Sequence, residues 1–297
     1  MHVYLNGEFL PQQEARISVL DRGFLFGDGI YEVTRALHGR LIDEELHWRR
    51  FEAGARELRL GFPPGFTRES LRGILERLLR DNGHAQGDAS VYVQLTRGAA
   101  PRAHAFPATE TPPTLYAYSA PFQVPWEQRL RGVDVITHPD LRWARCDIKT
   151  VNLLPNVLAK QRAKEAGAFE ALLVRDGHLT EGSASSVFGV VGGELLTYPR
   201  GPQILPGVTR AVVLELAREL DLRVREAPLR LAERERWQEL LLTGTTSDVQ
   251  PIISVDGTPV GEGRPGPVCR ALQAALYRRM GLPVDAVLAP ALPASSR

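Results

Sequence analysis

The sequence predicts an α+β protein of two domains, and three observations carry that prediction. Segments with strand and helix periodicity mix along the chain without a regular strand–helix–strand rhythm or an internal repeat, which disfavours a doubly wound parallel sheet. At 297 residues the chain is longer than one compact core usually accommodates. A break rich in proline falls around Pro121 and Pro125. The expected division is a smaller domain over residues 1–119, a linker over 120–126 and a larger domain over 127–297.

Taken in order, the chain opens with a hairpin. Val3-Tyr4-Leu5 returns through Asn6-Gly7, a pair suited to a two-residue turn, into Glu8-Phe9-Leu10. A loop rich in glycine and aspartate, Asp21 to Gly29, leads into the alternating strand Ile30 to Leu37 and a turn at His38-Gly39. Two helices follow. The first runs from about Asp43 to Leu58, with Leu46, Phe51 and Leu58 among its apolar positions. The second starts after Thr67, a residue type that caps helix N-termini, and aligns Leu71, Leu75, Leu78 and Leu79 on one face. Ser90–Thr96 alternates as a strand, and Thr114–Tyr118 forms another.

Beyond the linker, Val133–Thr137 reads as a strand and Asn152–Ala166 as a helix that tolerates Pro155 in its first turn. Hairpins turn at Asp176-Gly177 and Gly192-Gly193, and Gly207-Val208-Thr209 opens a helix to about Leu220. A strand at Leu240–Thr243 ends in Gly244-Thr245-Thr246-Ser247. The last helix spans about Val268–Met280, ahead of an Ala/Pro-rich tail expected to fray after Pro283.

Composition narrows function by exclusion. A net charge of +1 gives no reason to expect nucleic acid or an acidic membrane surface as partner. No stretch approaches the roughly 18 apolar residues of a membrane span, and Met1 to Asn6 shows no basic region leading into an apolar run. Cys146 and Cys269 lie far apart and form no CxxC pair, so free thiols in a reducing cytoplasm are expected. The seven histidines show neither HExxH nor a paired spacing with cysteine, so no metal site is expected. GxSxG and GxxxxGK[ST] are absent, and Gly27-Asp28-Gly29 lacks the third glycine of a dinucleotide loop.

What remains is amine chemistry. Lysine occurs only at 149, 160 and 164, so 33 of the 36 basic residues are arginine. Lys160 and Lys164 sit four apart in a helical stretch, the pattern of a solvated face. Lys149 lies between Ile148 and Thr150 ahead of Val151-Asn152-Leu153-Leu154. In an apolar setting the charged form of an amine is disfavoured, which suits a nucleophile for Schiff-base chemistry. Spacing alone leaves equally open a strand-end lysine reaching out to water. Two segments could cup a phosphate-sized anion: Leu205-Pro206-Gly207-Val208-Thr209, through the first amides of a helix, and Gly244-Thr245-Thr246-Ser247, through hydroxyls and backbone. Each on its own is equally an ordinary helix cap or turn. In Thr180-Glu181-Gly182-Ser183-Ala184-Ser185-Ser186 small residues let a flat ligand approach while the carboxylate could hold a protonated ring nitrogen; a serine-rich turn with a surface glutamate reads the same way. Arg102 and His104, one residue apart, could face one carboxylate or simply line an exposed loop.

Together these segments resemble the fold-type IV aminotransferases and, within them, the D-amino acid aminotransferases. The resemblance runs collinearly to about Met280 and rests on Asp21-Arg22-Gly23-x-x-Phe26-Gly27-Asp28-Gly29-x-Tyr31-Glu32, Arg50, Pro101-Arg102-Ala103-His104, Cys146-Asp147-Ile148-Lys149, Thr180-Glu181-Gly182-Ser183, Ile204-Leu205-x-Gly207-Val208-Thr209-Arg210 and Thr245-Thr246-Ser247. It implies a two-domain fold-type IV architecture and pyridoxal 5'-phosphate as cofactor. By the same resemblance Lys149 carries the cofactor and moves the substrate α-proton, and Glu181 pairs with the pyridine nitrogen. Arg50, the Val208 and Thr209 amides and Thr245 grip the phosphate, and Leu205 packs on the ring. Tyr31, Arg102 and His104 match the family's trap for the substrate α-carboxylate. In relatives the Arg and His come from the neighbouring subunit, which implies a homodimer with shared sites.

Ser186 departs from the pattern, standing where relatives often carry Asn. The family also includes branched-chain L-amino acid aminotransferases, aminodeoxychorismate lyases and amine transaminases. Pro101-Arg102-Ala103-His104 favours the D-amino acid group, with the branched-chain L-enzyme as the alternative. The expected activity is ping-pong transfer of the amino group of a D-amino acid to a 2-oxo acid, D-alanine and 2-oxoglutarate being the pair the resemblance points to. A cofactor-storing or interaction protein on this scaffold would be expected to lack the lysine or the ring acid.

Overall fold

The structure is a computed structural model and describes residues 1–107, 111–284 and 288; the tail expected to fray lies outside them apart from Val284 and Leu288. The chain divides into two compact units, Met1–Val124 with Ile148–Leu153, and Pro125–Asp147 with Leu154–Arg297. Strand and helix occur in both, as an α+β class requires.

The first unit contains β1 (His2–Leu5), β2 (Glu8–Pro11), α1 (Arg22–Phe26), β3 (Gly29–Leu37), β4 (Arg40–Leu41), α2 (Glu44–Glu57), α3 (Arg68–Asp81), β5 (Asp88–Thr96) and β6 (Thr114–Pro121). Its antiparallel sheet has the order β2-β1-β6-β5-β3-β4. The first hairpin turns at Asn6 and Gly7 with φ of 49° and 104°, backbone that Asn and Gly adopt at low cost. The loop before β3 contains α1, capped by the Asp21 carboxylate on the Gly23 N–H and ended by Gly27 at φ 68°. Thr67 caps α3 as expected, and Ser70 completes a reciprocal capping box. Alternation along β5 buries Ala89, Val91, Val93 and Leu95 against Phe51, Leu71, Leu75, Leu78 and Leu79 of the two helices. Tyr92 and Gln94 therefore stand on the opposite face.

The second unit contains α4 (Trp126–Arg131), β7 (Val133–Pro139), α5 (Leu154–Glu165), β8 (Glu170–Arg175), β9 (His178–Gly182), β10 (Ser186–Val191), β11 (Glu194–Thr197), α6 (Val208–Glu219), β12 (Val224–Glu226), β13 (Leu229–Arg230), β14 (Trp237–Gly244), β15 (Asp248–Val255), β16 (Thr258–Pro259) and α7 (Pro267–Met280). The sheet runs β12-β11-β10-β14-β15-β7-β8-β9-β13, with β16 on β15. An added pairing of β9 with β10, Glu181 opposite Ser186, closes β10, β14, β15, β7, β8 and β9 into a ring. Leu172, Val187, Leu240, Leu242 and Ile252 fill part of its core. Glu181 thus lies on the closing seam.

Two local differences from the sequence reading have physical causes. The stretch expected as a linker is largely ordered: β6 continues to Pro121, and Pro125 precedes α4, a proline at a helix start being an ordinary arrangement. Residues 148–153, placed by sequence in the larger domain, belong by contacts to the first unit. The Tyr31 N–H donates to the Lys149 carbonyl (3.1 Å) and the Val151 N–H to the Gly29 carbonyl (3.1 Å), so the edge of β3 captures them.

Candidate active site

In the first unit, Lys149 is half-buried with its Nζ 4.2 Å from the centre of the Tyr31 ring. Tyr31 is itself stacked on Tyr92, with ring centres 5.6 Å apart. Because β3 alternates, Tyr31 and Glu32 point to opposite faces. Glu32 turns toward α2, where His47 and Arg50 share a face at i, i+3. It accepts from Arg50 Nε (2.6 Å) and Nη2 (2.8 Å) and from His47 Nδ1 (2.8 Å). Burial alone would raise the Glu32 pKa, but Arg50 and then His47 outweigh it and hold the carboxyl at about 2. Burial lowers the His47 pKa despite the pull of Glu32 the other way, so the imidazole is neutral at pH 7 and donates from Nδ1. Arg50 is thereby a fixed cation.

The 101–104 loop is exposed, and its backbone is anchored: Arg22 donates from Nη1 to the Ala103 carbonyl (2.6 Å) and from Nη2 to that of His104 (3.3 Å). Arg102 lies over the Phe26 ring at 5.2 Å and His104 meets the same ring at 5.7 Å. Among the described residues neither makes a hydrogen bond or ion pair with Tyr31 or Lys149. The structure does not bring this pair to the lysine within one chain through any such bond.

In the second unit, Glu181 is 4% exposed near the end of β9. Arg142 Nη1 donates to its Oε2, and the Leu205 N–H also donates to the carboxylate. Burial raises the Glu181 pKa to about 7 even against these donors. Its conjugate base is therefore strong enough to share a proton with a cationic aromatic nitrogen, and the surface glutamate left open by the sequence is ruled out. Val208 and Thr209 occupy the first turn of α6, whose N-cap Gly207 supplies no side-chain cap. Their N–H groups have no intrahelical acceptor, as a phosphate site requires. A Cβ on Gly207 would stand 2.7 Å from the Ser186 Oγ, so the backbone approaches closely there and Ser186 is buried at the seam. Thr245 sits in the turn joining β14 to β15, closed by Ser247 N–H to the Gly244 carbonyl (3.1 Å).

Sequence reasoning missed two groups. Glu32 and His47 fix Arg50; a glutamate inside an apolar strand was the available signal. Arg142 and Asp140 hold Glu181, and nothing local announces them. Lys160, read as part of a solvated face, is exposed, and its amine also donates to the Phe169 carbonyl (2.5 Å). Among the described residues no group of acidic, histidine and cysteine side chains could hold a metal, and no helix is long and apolar enough to cross a membrane.

Residues 29–255 match the sequence profile of the Amino-transferase class IV family. A D-alanine aminotransferase of Bacillus licheniformis is 41% identical over 276 residues, 93% of this chain and 96% of the relative. One from Staphylococcus haemolyticus is 39% identical over 271 residues, 91% and 95% of the two chains. Among solved structures, an Escherichia coli branched-chain amino acid aminotransferase superposes with a TM-score of 0.83 at 25% identity, covering 93% of each chain. A T.th. branched-chain amino acid aminotransferase, solved with pyridoxamine 5'-phosphate, reaches 0.83 at 28% identity over 94% of each.

Proposed function

The chain belongs to the class IV aminotransferases, and from that premise we propose that it transfers the amino group of a D-amino acid to a 2-oxo acid by a ping-pong reaction using pyridoxal 5'-phosphate. D-alanine and 2-oxoglutarate give pyruvate and D-glutamate, a balanced exchange of amine for carbonyl oxygen. The bound cofactor supplies an aldehyde that condenses with amines and a ring that acidifies the substrate α-C–H. The rest is done by the chain's own groups.

Lys149 is the amine that holds the aldehyde and, once displaced, takes and returns the α-proton at Nζ. Tyr31, beside it, orients the amine. Glu181 would hold a proton on the ring nitrogen of a bound cofactor; a carboxylate with a pKa near 7 in a dry site suits that role. Arg50, the Val208 and Thr209 amides and Thr245 bind the phosphate, and Leu205 packs against the ring. The observation that carries the assignment is the presence, in one chain with three lysines, of a half-buried amine and of a buried carboxylate that accepts a backbone N–H.

Preference for the D-enantiomer is supported by the Arg102-x-His104 loop, whose backbone Arg22 anchors while both side chains remain exposed. With Tyr31 they form the α-carboxylate trap, the loop coming from a second copy of the chain in a homodimer. A dimer is also supported by the apolar stripe on α5, where Leu154, Val157 and Leu158 are 72%, 56% and 63% exposed. Two buried free thiols fit a reducing, cytoplasmic setting.

The test is a set of half-reactions on the purified enzyme, followed by visible absorption. D-alanine is expected to bleach the cofactor band and L-leucine to leave it unchanged. A response to L-leucine alone would replace this reading with the branched-chain alternative, the activity named for the superposed structures. Lys149→Ala is expected to abolish both turnover and borohydride fixation of the cofactor to the chain, and retention of either would sink the assignment of the amine.

A further inference from the structure

Glu181 is one member of a buried charge cluster that the reaction as described does not use. Asp140, at the end of β7, has a fully buried side chain. Arg142 reaches it from Nε (2.9 Å) and Nη2 (2.9 Å), donates from Nη1 to Glu181, and also donates to the Gln203 carbonyl (3.0 Å) and, at 3.3 Å, to the Thr180 hydroxyl. The Thr180 hydroxyl in turn donates to Asp140 (2.9 Å), and Arg175 stands 3.2 Å from the same carboxylate. Only 7% of the Arg142 side chain is exposed. One guanidinium is thus clamped on a structural aspartate by one edge and presents the other to the ring acid.

We propose that Arg142 is a positioning residue that sets the basicity of Glu181, and through it the protonation of the cofactor's ring nitrogen, with Asp140, on the other edge of the same guanidinium, opposing it by its own charge. The inference rests on the reading of Glu181 as the ring acid. The chemistry follows from charge placement. A carboxylate sealed from water favours its neutral form, and a protonated acid cannot stabilise a ring N–H⁺. A guanidinium stays cationic at any working pH, so its contact restores the ionised carboxylate without itself competing for the proton. Burial raises the Glu181 pKa most, Arg142 and the Leu205 N–H lower it, and Asp140 raises it. Cys146, whose own pKa burial raises, completes the titratable groups around Arg142 together with Arg175. The carboxylate therefore sits near neutrality, poised between two opposing neighbours.

The experiment is an infrared pH titration of the full chain, freed of cofactor and carrying carboxyl-labelled glutamate, with Glu181→Gln subtracted to isolate the Glu181 band. In the unmutated chain the band is expected to titrate near pH 7. Arg142→Met is expected to raise the midpoint by at least one pH unit, a tenfold gain in proton affinity. Arg142→Lys is expected to recover part of that shift, and Asp140→Asn to move the midpoint the other way. In the loaded enzyme, Arg142→Met is expected to shift the pH profile of the cofactor's visible band in the same sense. An unmoved Glu181 midpoint in Arg142→Met, or shifts of one sign in both Arg142→Met and Asp140→Asn, would overturn the proposal. Should Arg142→Met fail to fold, the lysine and asparagine variants carry the same opposite-sign test. If Glu181→Gln left the D-alanine half-reaction intact, the ring-acid reading would fall, whatever the infrared midpoints.

Discussion

Replacing Glu32 by Gln tests the electrostatic reading of the first unit most directly. The carboxyl is 3% exposed and accepts three hydrogen bonds, two from Arg50 and one from His47. Its pKa falls from 4.5 to about 2. At about 1.4 kcal/mol per pH unit, that difference is worth roughly 3 kcal/mol of folding stability at pH 7. The sign follows from the direction. A depressed carboxyl contributes stability above the unfolded value of 4.5, and the contribution disappears as pH falls through about 2. With those two values the linkage relation leaves about half of that contribution at pH 3. Glutamine cannot ionise, so the variant lacks this leg altogether. The assay is urea denaturation of the cofactor-free chain and of its Glu32→Gln variant by far-ultraviolet circular dichroism, both retaining His47, which helps hold the carboxyl down. The gap between them should narrow by on the order of 1–2 kcal/mol between pH 4.5 and pH 3. A constant gap across that window would refute the reasoning, because a merely steric defect does not depend on pH.

Two further outcomes follow from the geometry. Gly98 has φ of 87°, and a Cβ there would stand 1.9 Å from the Pro112 carbonyl oxygen, so Gly98→Ala is expected to cost on the order of 2 kcal/mol. A calorimetric melting temperature lowered by about 5 °C, with a raised KM for D-alanine as the 101–104 loop shifts, would agree; unchanged values of both would not. Cys146 and Cys269 are buried, and burial raises the pKa of each thiol. Ellman's reagent at pH 8 is expected to label the native enzyme slowly and both thiols rapidly in urea, whereas fast native labelling would contradict the packing.

The residues that could be read in advance are those whose signal lies within a few neighbours. The Asn6-Gly7 turn, the Thr67 cap and the leucines of α3 each depend on local φ preference, a nearby amide or helical period. Lys149 stood out because lysine is rare in the chain, and Glu181 because small residues follow it. By contrast β15 was not identified in the sequence; its run contains Pro251, which lies within the pairing with β14 opposite Leu241. The 148–153 segment was assigned by its place in the sequence, whereas backbone bonds to β3 decide its membership.

By itself the sequence determined which side chains are available: one amine apart from the solvated pair, one acid among small residues, one helix start able to bind an anion. The tertiary structure alone decided their ionisation. Glu32 and Glu181 are the same amino acid, yet one is held near pKa 2 by Arg50 and His47 while the other is lifted to about 7 by burial. The charged partners of the two carboxylates sit 15, 18 and 39 residues away, brought up by sheet register and helix packing. Basicity depends on solvent exclusion and on the charges within a few ångströms. Neither quantity exists until the chain has folded.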